Sequence, residues 1–163
     1  MTIAEKSFYI EVPSSLNPDQ LQIMMAMEKD AFPGIGAIDE QTLVPLARYG
    51  KIILYREEGD SKPIAVCELM RDYQDVNKAY IFGFYVRSDQ QGRGIGKKFL
   101  GDIFPILKED RFKKVCLTVS TCNTSAVKLY ERTGFEIKGT RFSEFGAGED
   151  RYYMEKEIDS DHS

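Results

Sequence analysis

Three glycines at alternate positions, Gly92, Gly94 and Gly96, separate a strand-like run from a helix-like run. The run before them, Tyr80–Val86, is aromatic and aliphatic, and Gly94–Lys108 after them has apolar residues at helical spacing. Glycine lets the backbone approach a ligand closely, and the first turn of a helix carries unpaired N–H groups and a partial positive charge. The pattern therefore predicts an anion site suited to a phosphate or pyrophosphate.

Two well-known phosphate motifs do not fit this stretch. A P-loop needs glycine at position 91 and Ser or Thr at position 98, where the chain has Gln91 and Lys98. The dinucleotide fingerprint needs a third glycine where Lys97 stands. Arg93 and Lys97 would add charge-assisted contacts to a bound anion. A glycine-rich turn without a ligand is the alternative interpretation.

Length and charge restrict the class of protein. The 163 residues predict one domain over 1–158, followed by a polar tail at 159–163. The net charge is −4 and no long basic tract is present, which argues against nucleic acid as a main partner. No stretch approaches the roughly 20 apolar residues that span a bilayer, so we expect no membrane association.

The positions of the cysteines and the histidine argue against a disulfide framework and against a zinc site. Cys67, Cys116 and Cys122 have neither disulfide-framework nor zinc-ligand spacing, and His162 stands in the tail. We therefore expect no metal. Reduced thiols, and an N-terminus without a signal-peptide pattern, predict a cytoplasmic protein.

Apolar periodicity and turn residues predict a mixed α/β (α+β) order of elements. The predicted strands are Ser7–Val12, Lys51–Arg56, Ile64–Met70, Tyr80–Val86, Val115–Val119, Phe135–Thr140 and Tyr152–Ile158. The predicted helices are Asn17–Asp30, Asp39–Ala47, Gly94–Lys108 and Ser125–Arg132. We expect the second and third strands to form an antiparallel hairpin, and Pro105 to kink its helix or end it early.

A second motif lies in Asn123–Phe135, which reads NTSAVKLYERTGF. Asn123 is suited either to cap the helix or to bind an extended ligand through its amide. Ala126, Leu129 and Tyr130 share one helical face. We expect Ala126 and Leu129 in the core, whereas Tyr130 is either a boundary residue or a chemical one.

Together the two motifs resemble those of the GNAT acetyltransferase family. Gln91–Gly96 is similar to the family's Q/R-x-x-G-x-G/A, and Asn123–Phe135 to its N-x-x-A-x-x-L-Y-x-x-x-G-F. The strand expected at Val115–Val119 separates them, as in the family. The resemblance implies a mixed sheet of about seven strands, splayed between its two central parallel strands and flanked by about four helices.

The resemblance also implies an acetyl-CoA-dependent N-acetyltransferase. Acetyl-CoA would be a co-substrate, and its acetyl group would pass by direct attack to a primary amine of a small molecule or a peptide. The residues implied to bind it are Phe84, Tyr85, Val86, Gln91, Gly92, Arg93, Gly94, Ile95, Gly96, Lys97, Asn123, Ala126 and Tyr130.

The catalytic roles are assigned in part by the same resemblance. Tyr130 corresponds to the family's general acid, and the Val86 N–H to an oxyanion donor. The family's usual positions for a basic Glu hold no acid here, so Glu68 on a neighbouring strand is the candidate base, with an exposed strand residue as the equal alternative. Water relaying the proton to bulk, to Tyr80 or to Tyr85 is a further route. Cys122 lacks a histidine to activate it as a nucleophile.

The acceptor and the partners stay open at this point. In the family, residues equivalent to 30–42 and 143–150 build the acceptor site, and acids there would suit a cationic amine: Asp30, Asp39, Glu40, Glu144, Glu149 and Asp150. Ordinary solvated loop charges are the alternative. A non-catalytic acyl-CoA-binding module is the competing function, and the resemblance leaves a homodimer open.

Overall fold

The computed structural model describes residues 7–34 and 38–158. Within those ranges it contains seven strands and four α-helices, which confirms the predicted mixed α/β class. The strands are β1 (Phe8–Glu11), β2 (Lys51–Glu57), β3 (Ala65–Arg71), β4 (Lys78–Val86), β5 (Lys114–Ser120), β6 (Glu136–Arg141) and β7 (Arg151–Glu157). The helices are α1 (Pro18–Ala31), α2 (Glu40–Tyr49), α3 (Ile95–Glu109) and α4 (Thr124–Arg132).

The strands form one mixed sheet in the order β1-β2-β3-β4-β5-β7-β6. β4 and β5 run parallel, with Lys78–Tyr80 paired to Lys114–Cys116. The predicted hairpin of β2 and β3 is antiparallel, as are the pairings of β1 with β2 and of β7 with β5 and β6. A seven-stranded mixed sheet with a parallel pair is therefore confirmed.

The described chain divides into two compact units. The first unit comprises the described residues up to Met70 together with Gly83–Gly96, and the second comprises Arg71–Phe82 and the described residues from Lys97 onward. One catalytic domain over 1–158 stays a prediction. The polar tail predicted at 159–163 lies outside the described residues. No helix in the described ranges is long and apolar enough to cross a membrane.

Helix α1 of the first unit begins where the sequence predicts. The Asn17 side chain accepts from the Gln20 N–H at 2.8 Å while the Gln20 side chain accepts from the Asn17 N–H at 3.1 Å, which completes a capping box with Pro18 in the first turn. The helix buries Met24 and Met27. Their core partners come from α2 and the sheet: Leu43, Leu46, Ala47, Ile52, Leu54, Val66 and Tyr85.

Helix α3 contradicts one of the two sequence expectations for Pro105, that the helix ends early there; a kink at Pro105 stays a prediction. The helix does not end at Pro105 but continues to Glu109. Proline removes one helical hydrogen bond, but Ile103 and Leu107 on either side of it are fully buried. Burial of both side chains on one helical face favours an uninterrupted helix, because an early end would expose Leu107.

Candidate active site

The glycine turn belongs to the first unit as far as Gly96. It follows a short 3₁₀ turn at Ser88–Gln90 and leads into α3. Gly92 and Gly94 have φ of 83° and 72°, the left-handed region that side chains other than glycine's rarely adopt. An added Cβ at either position would meet no described atom within 4 Å. The backbone conformation therefore favours glycine at both positions, and the space on the side where a Cβ would lie is open.

Arg93, expected to contact an anion, is also held by the protein. Its Nη2 lies 2.8 Å from Oε2 of Glu57, and Glu57 is only 5% exposed. Its guanidinium also lies 5.6 Å from the Phe8 ring centroid. The Arg93 side chain nevertheless keeps 45% of its surface exposed. Glu57 thus ties the glycine turn to the end of β2. The sequence did not reveal this role, because Glu57 and Arg93 are far apart in the chain.

The end of β4 is fixed by its own neighbours. The first residue of the glycine motif, Gln91, donates from its side chain to the carbonyl of Val86 at 3.4 Å. Arg87 pairs with Asp60 at 2.6 Å, and its backbone N–H donates to the carbonyl of Ile64 at 2.8 Å. Hydrogen bonds to Asp60 and Asp89 raise the pKa of Arg87, so it stays charged. The strand end that carries the expected oxyanion donor is thereby held rigid.

Glu68, the candidate base, is fully buried in β3. The alternative of an exposed strand residue is therefore wrong. Its carboxyl lies over Gly83 of β4, where an added Cβ would overlap Oε1. Burial is the main cause that raises the pKa of Glu68 to about 10, with a further contribution from the neighbouring carboxyl of Glu28.

Glu28 and Tyr85 complete a buried cluster around Glu68. Glu28 lies on α1 and is 1% exposed, and Tyr85 on β4 is 6% exposed. Burial raises the pKa of Glu28 and of Tyr85, and Glu28 interacts with both of the other groups. Glu28 falls inside the helix predicted over Asn17–Asp30, but only its apolar neighbours Met24 and Met27 could have signalled its burial.

The acids expected at the acceptor site have different surroundings. Asp30 lines an open cleft of about 490 Å³ in the first unit, which also has Lys62, Arg87 and apolar side chains of α1 in its wall. Asp39 caps α2, accepting from the Thr42 N–H at 3.2 Å. Glu40 follows it in the first turn.

In the second unit, two of the expected acceptor acids have structural partners. Glu144 pairs with Arg141 at 3.3 Å, and Asp150 accepts from the Ser143 N–H at 2.9 Å. Glu149 is exposed. Asp39, Glu144 and Asp150 thus support the local backbone or surface, while Asp30 keeps its place in a cleft.

Helix α4 of the second unit carries the other predicted site residues. Asn123 is the N-cap, and its Oδ1 accepts from the Ala126 N–H at 3.2 Å. Ala126 and Leu129, expected in the core, are only half-buried, and the buried side chains are Val127 and Tyr130. The prediction that Ala126 and Leu129 lie in the core is therefore wrong, because the helix directs Val127 and Tyr130 inward instead.

Tyr130 is held in place by aromatic packing. It is 8% exposed, and its ring meets Phe135 edge-on at 5.7 Å between centroids.

The remaining predicted residues differ in exposure. Lys97, in the part of α3 that belongs to the second unit, is exposed. Cys122 is exposed, while Cys67 and Cys116 are buried. Each unit therefore holds its own share of the predicted residues: Glu68, 84–86 and 91–96 in the first, and Lys97, Asn123, Ala126 and Tyr130 in the second.

Comparisons with known proteins agree with both motifs. The model of the acetyltransferase (GNAT) family matches residues 21–135. The spermine/spermidine N(1)-acetyltransferase of Bacillus subtilis (strain 168) is 33% identical over 95 residues, which cover 56% of this chain. The match spans 62% of that relative, less than two thirds of its length.

Two solved structures have the same fold. The ribosomal-protein-S18-alanine N-acetyltransferase from Escherichia coli gives a TM-score of 0.75 at 22% identity, covering 96% of this chain and 99% of the other. A GNAT family acetyltransferase from Elizabethkingia anophelis with acetyl-CoA bound gives a TM-score of 0.71 at 17% identity, covering 96% and 100%.

Proposed function

Because this chain belongs to the acetyltransferase (GNAT) family, we propose that it is an acetyl-CoA-dependent N-acetyltransferase whose acceptor is a primary amine of a small aliphatic polyamine. The observation that carries the proposal is the glycine turn. Gly92 and Gly94 adopt left-handed backbone conformations at the start of α3, and their backbone borders open space. This geometry fits an anionic group such as the pyrophosphate of acetyl-CoA.

The chain's own residues suit the binding of that co-substrate. Backbone N–H groups of 92–97 would hold the pyrophosphate, with Lys97 and the exposed part of Arg93 adding positive charge. Residues 84–86 would pair with the pantetheine arm as a further strand does, and Asn123 with Ala126 would meet it from α4. Bound there, acetyl-CoA supplies an activated thioester.

The transfer needs three groups on the protein. A base takes a proton from the ammonium group, and we assign this to Glu68 in its ionised form, whose fraction grows as the pH rises toward 10. The amine nitrogen then forms a bond to the acetyl carbon, the Val86 N–H stabilises the oxyanion, and the carbon–sulfur bond breaks. Tyr130 gives its phenolic proton to the departing sulfur, and the phenolate recovers a proton from the newly acylated nitrogen. The net products are the amide, coenzyme A and one proton.

The acceptor class follows from charge and from the curated relative. Asp30 is an acid in the wall of the cleft beside α1 in the first unit. Acids favour a cationic amine over a neutral or anionic acceptor. The relative that is 33% identical is an acetyltransferase of spermine and spermidine. A polyamine is therefore the first acceptor to test.

Calorimetry with coenzyme A, followed by a thiol-release assay, tests the proposal on the purified chain. Acceptors in the assay would be spermidine, spermine, n-butylamine and a peptide with a free N-terminal alanine. We expect coenzyme A to bind and the polyamines to be acetylated at the highest kcat/KM. Transfer to the peptide alone would show that the acceptor is a peptide N-terminus and not a polyamine. Binding of coenzyme A without transfer to any amine would favour a non-catalytic module, and absence of binding would overturn the proposal.

A further inference from the structure

Helix α1 places a second carboxyl beside Glu68. Glu28 stands in the last turns of α1, between the buried Met24 and Met27 and the helix end, and it is 1% exposed. Glu68 enters from β3 and is fully buried, and Tyr85 enters from β4. Glu28 interacts with Glu68 on one side and with Tyr85 on the other. Two acids and one phenol from three elements thus meet in the apolar core of the first unit.

The oxygens of this cluster lack ordinary hydrogen bonds. Glu28 Oε1, both carboxyl oxygens of Glu68 and the Tyr85 hydroxyl are buried without a partner of normal length and angle among the described residues. Buried polar atoms are rarely left unpaired, because each one costs free energy. Ionised carboxylates only accept hydrogen bonds, so two of them side by side cannot satisfy each other. One proton held between them would supply the missing donor.

We propose that Glu28 and Glu68 act as one carboxyl pair that holds a single proton at neutral pH, and that this pair, reached through the Tyr85 hydroxyl, takes up the proton of the acceptor ammonium. The inference rests on the proposed function and adds Glu28 and Tyr85 to it. In the step, Tyr85 passes its hydroxyl proton to Glu28 while it receives one that water relays from the ammonium group, because the Tyr85 hydroxyl is itself buried. The pair then holds two protons, and the amine is neutral and ready for attack.

The surroundings support one shared proton in the resting pair. Burial raises the pKa of both carboxyls; Glu28 raises the pKa of Glu68 further, whereas hydrogen bonding to Glu68 and Tyr85 lowers the pKa of Glu28, so one carboxyl keeps its proton more firmly than the other. Cys67, beside Glu68 on β3, is buried and its pKa is also raised, so it adds no charge. Helix α2 contributes the apolar Leu43, Leu46 and Ala47 to this core. A pair in such surroundings is a stronger base than a solvated carboxylate, closer to the basicity of an alkylamine.

Steady-state kinetics on Glu28→Gln, Glu68→Gln and Tyr85→Phe test the proposal. With spermidine as acceptor, we expect kcat to fall by about 10²–10⁴-fold in each variant, with the KM for acetyl-CoA nearly unchanged. The pH at which kcat rises should move up by about one unit or more in Glu28→Gln, because the lone Glu68 carboxylate no longer accepts a hydrogen bond from a protonated neighbour. Tyr85→Phe should also move that pH up, because Glu28 loses the hydrogen bond that lowers its pKa. Glu58→Gln, which removes an exposed acid of the same unit, is the matched control.

Infrared spectroscopy gives a readout that does not depend on turnover. At pH 7.5 the wild type should show a protonated carboxyl band that the double variant Glu28→Gln/Glu68→Gln lacks and Glu58→Gln keeps. Absence of that band from the wild type, or a Glu28→Gln pH profile that superimposes on the wild type's, would overturn the inference. Failure of the proposed function is a different result, namely no acetyl transfer to any amine despite an intact infrared band.

Discussion

Gly83 lies directly beneath the carboxyl of Glu68, so a Cβ at Gly83 would overlap Oε1 and stand 3.2 Å from Cδ of Glu68. Glycine inside a strand costs about 0.5–1 kcal/mol relative to alanine, and here the cost has a steric reason. The space that a side chain of β4 would fill is taken by an acid from β3. The backbone of β4 therefore runs close to the candidate base, three residues before Val86.

Gly83→Ala tests this relationship. We expect it to lower the free energy of unfolding by about 1–3 kcal/mol, because the new methyl group collides with a fully buried carboxyl. Urea unfolding measures the loss. The control is Gly101→Ala in α3, where an added Cβ meets no described atom within 4 Å, and which we expect to stabilise by about 0.5–1 kcal/mol.

A double variant identifies the colliding group. In a Glu68→Ala background, Gly83→Ala should cost much less than it does in the wild type, since the two positions are in contact. An equal cost in both backgrounds would show that another atom limits the space at position 83.

Gly94→Ala separates backbone conformation from ligand binding. Gly94 has φ of 72° with open space around it, so alanine should cost about 1–2 kcal/mol in stability through backbone strain alone. We also expect weaker coenzyme A binding in calorimetry, because the strained turn no longer presents its N–H groups. Gly59→Ala is the control, since Gly59 has φ of 87° and equally open space in the β2–β3 turn. Equal coenzyme A affinity in both variants would contradict a phosphate role for the turn.

The local features of this fold were predictable because short-range chemistry sets them. The capping residue Asn17, the β2–β3 hairpin and the glycine turn at 92–96 each depend on neighbours a few residues away. Binary patterns likewise located all seven strands to within about two residues. The parallel pair followed from the family resemblance, not from periodicity, and the order of the strands in the sheet was not predicted.

The acids of the candidate site were not predictable in the same way. Glu28 and Glu57 look like solvated charges in the sequence, and their burial depends on residues from other elements packing over them. The stretch AVCELMR in β3 is buried on both sides through Leu69, so alternation gave no sign of which face Glu68 takes. The course of α3 past Pro105 likewise depends on long-range packing, which a local helix-breaking rule omits.

Tyr130→Phe tests the proposed general acid. The ring packs edge-on against Phe135, and phenylalanine keeps that contact, so the fold should not change. We expect kcat for spermidine to fall by about 10²–10⁴-fold while the KM for acetyl-CoA stays within about threefold. Tyr49→Phe, at a position that is 87% exposed, is the control. Unchanged turnover of Tyr130→Phe from pH 6 to pH 9 would remove Tyr130 from the mechanism.

Glu57→Gln tests the tether of the glycine turn. The 2.8 Å ion pair with Arg93 joins a buried carboxyl to the turn, and an amide would hold the guanidinium less firmly. We expect the KM for acetyl-CoA to rise by about three- to tenfold, with kcat little changed, since about 1 kcal/mol of pre-organisation is lost. Glu11→Gln breaks a comparable 3.0 Å pair with Arg56 on β1 and β2 and should leave both constants unchanged. Equal effects of the two variants would assign the loss to general stability.

The raised pKa of Glu68 makes stability depend on pH in a definite direction. The unfolded carboxyl titrates near 4.5 and the folded one near 10, so the folded chain holds a proton that the unfolded chain has released. The stabilisation from that proton is complete below about pH 4.5 and is lost as the pH rises toward 10. Glu68→Gln has no such proton to lose. The free energy of unfolding of Glu68→Gln, measured in urea, should therefore increase relative to that of the wild type when the pH is raised from 5.5 to 7 and then to 8.5. A difference that stays constant across these pH values would show that Glu68 titrates normally in the folded protein.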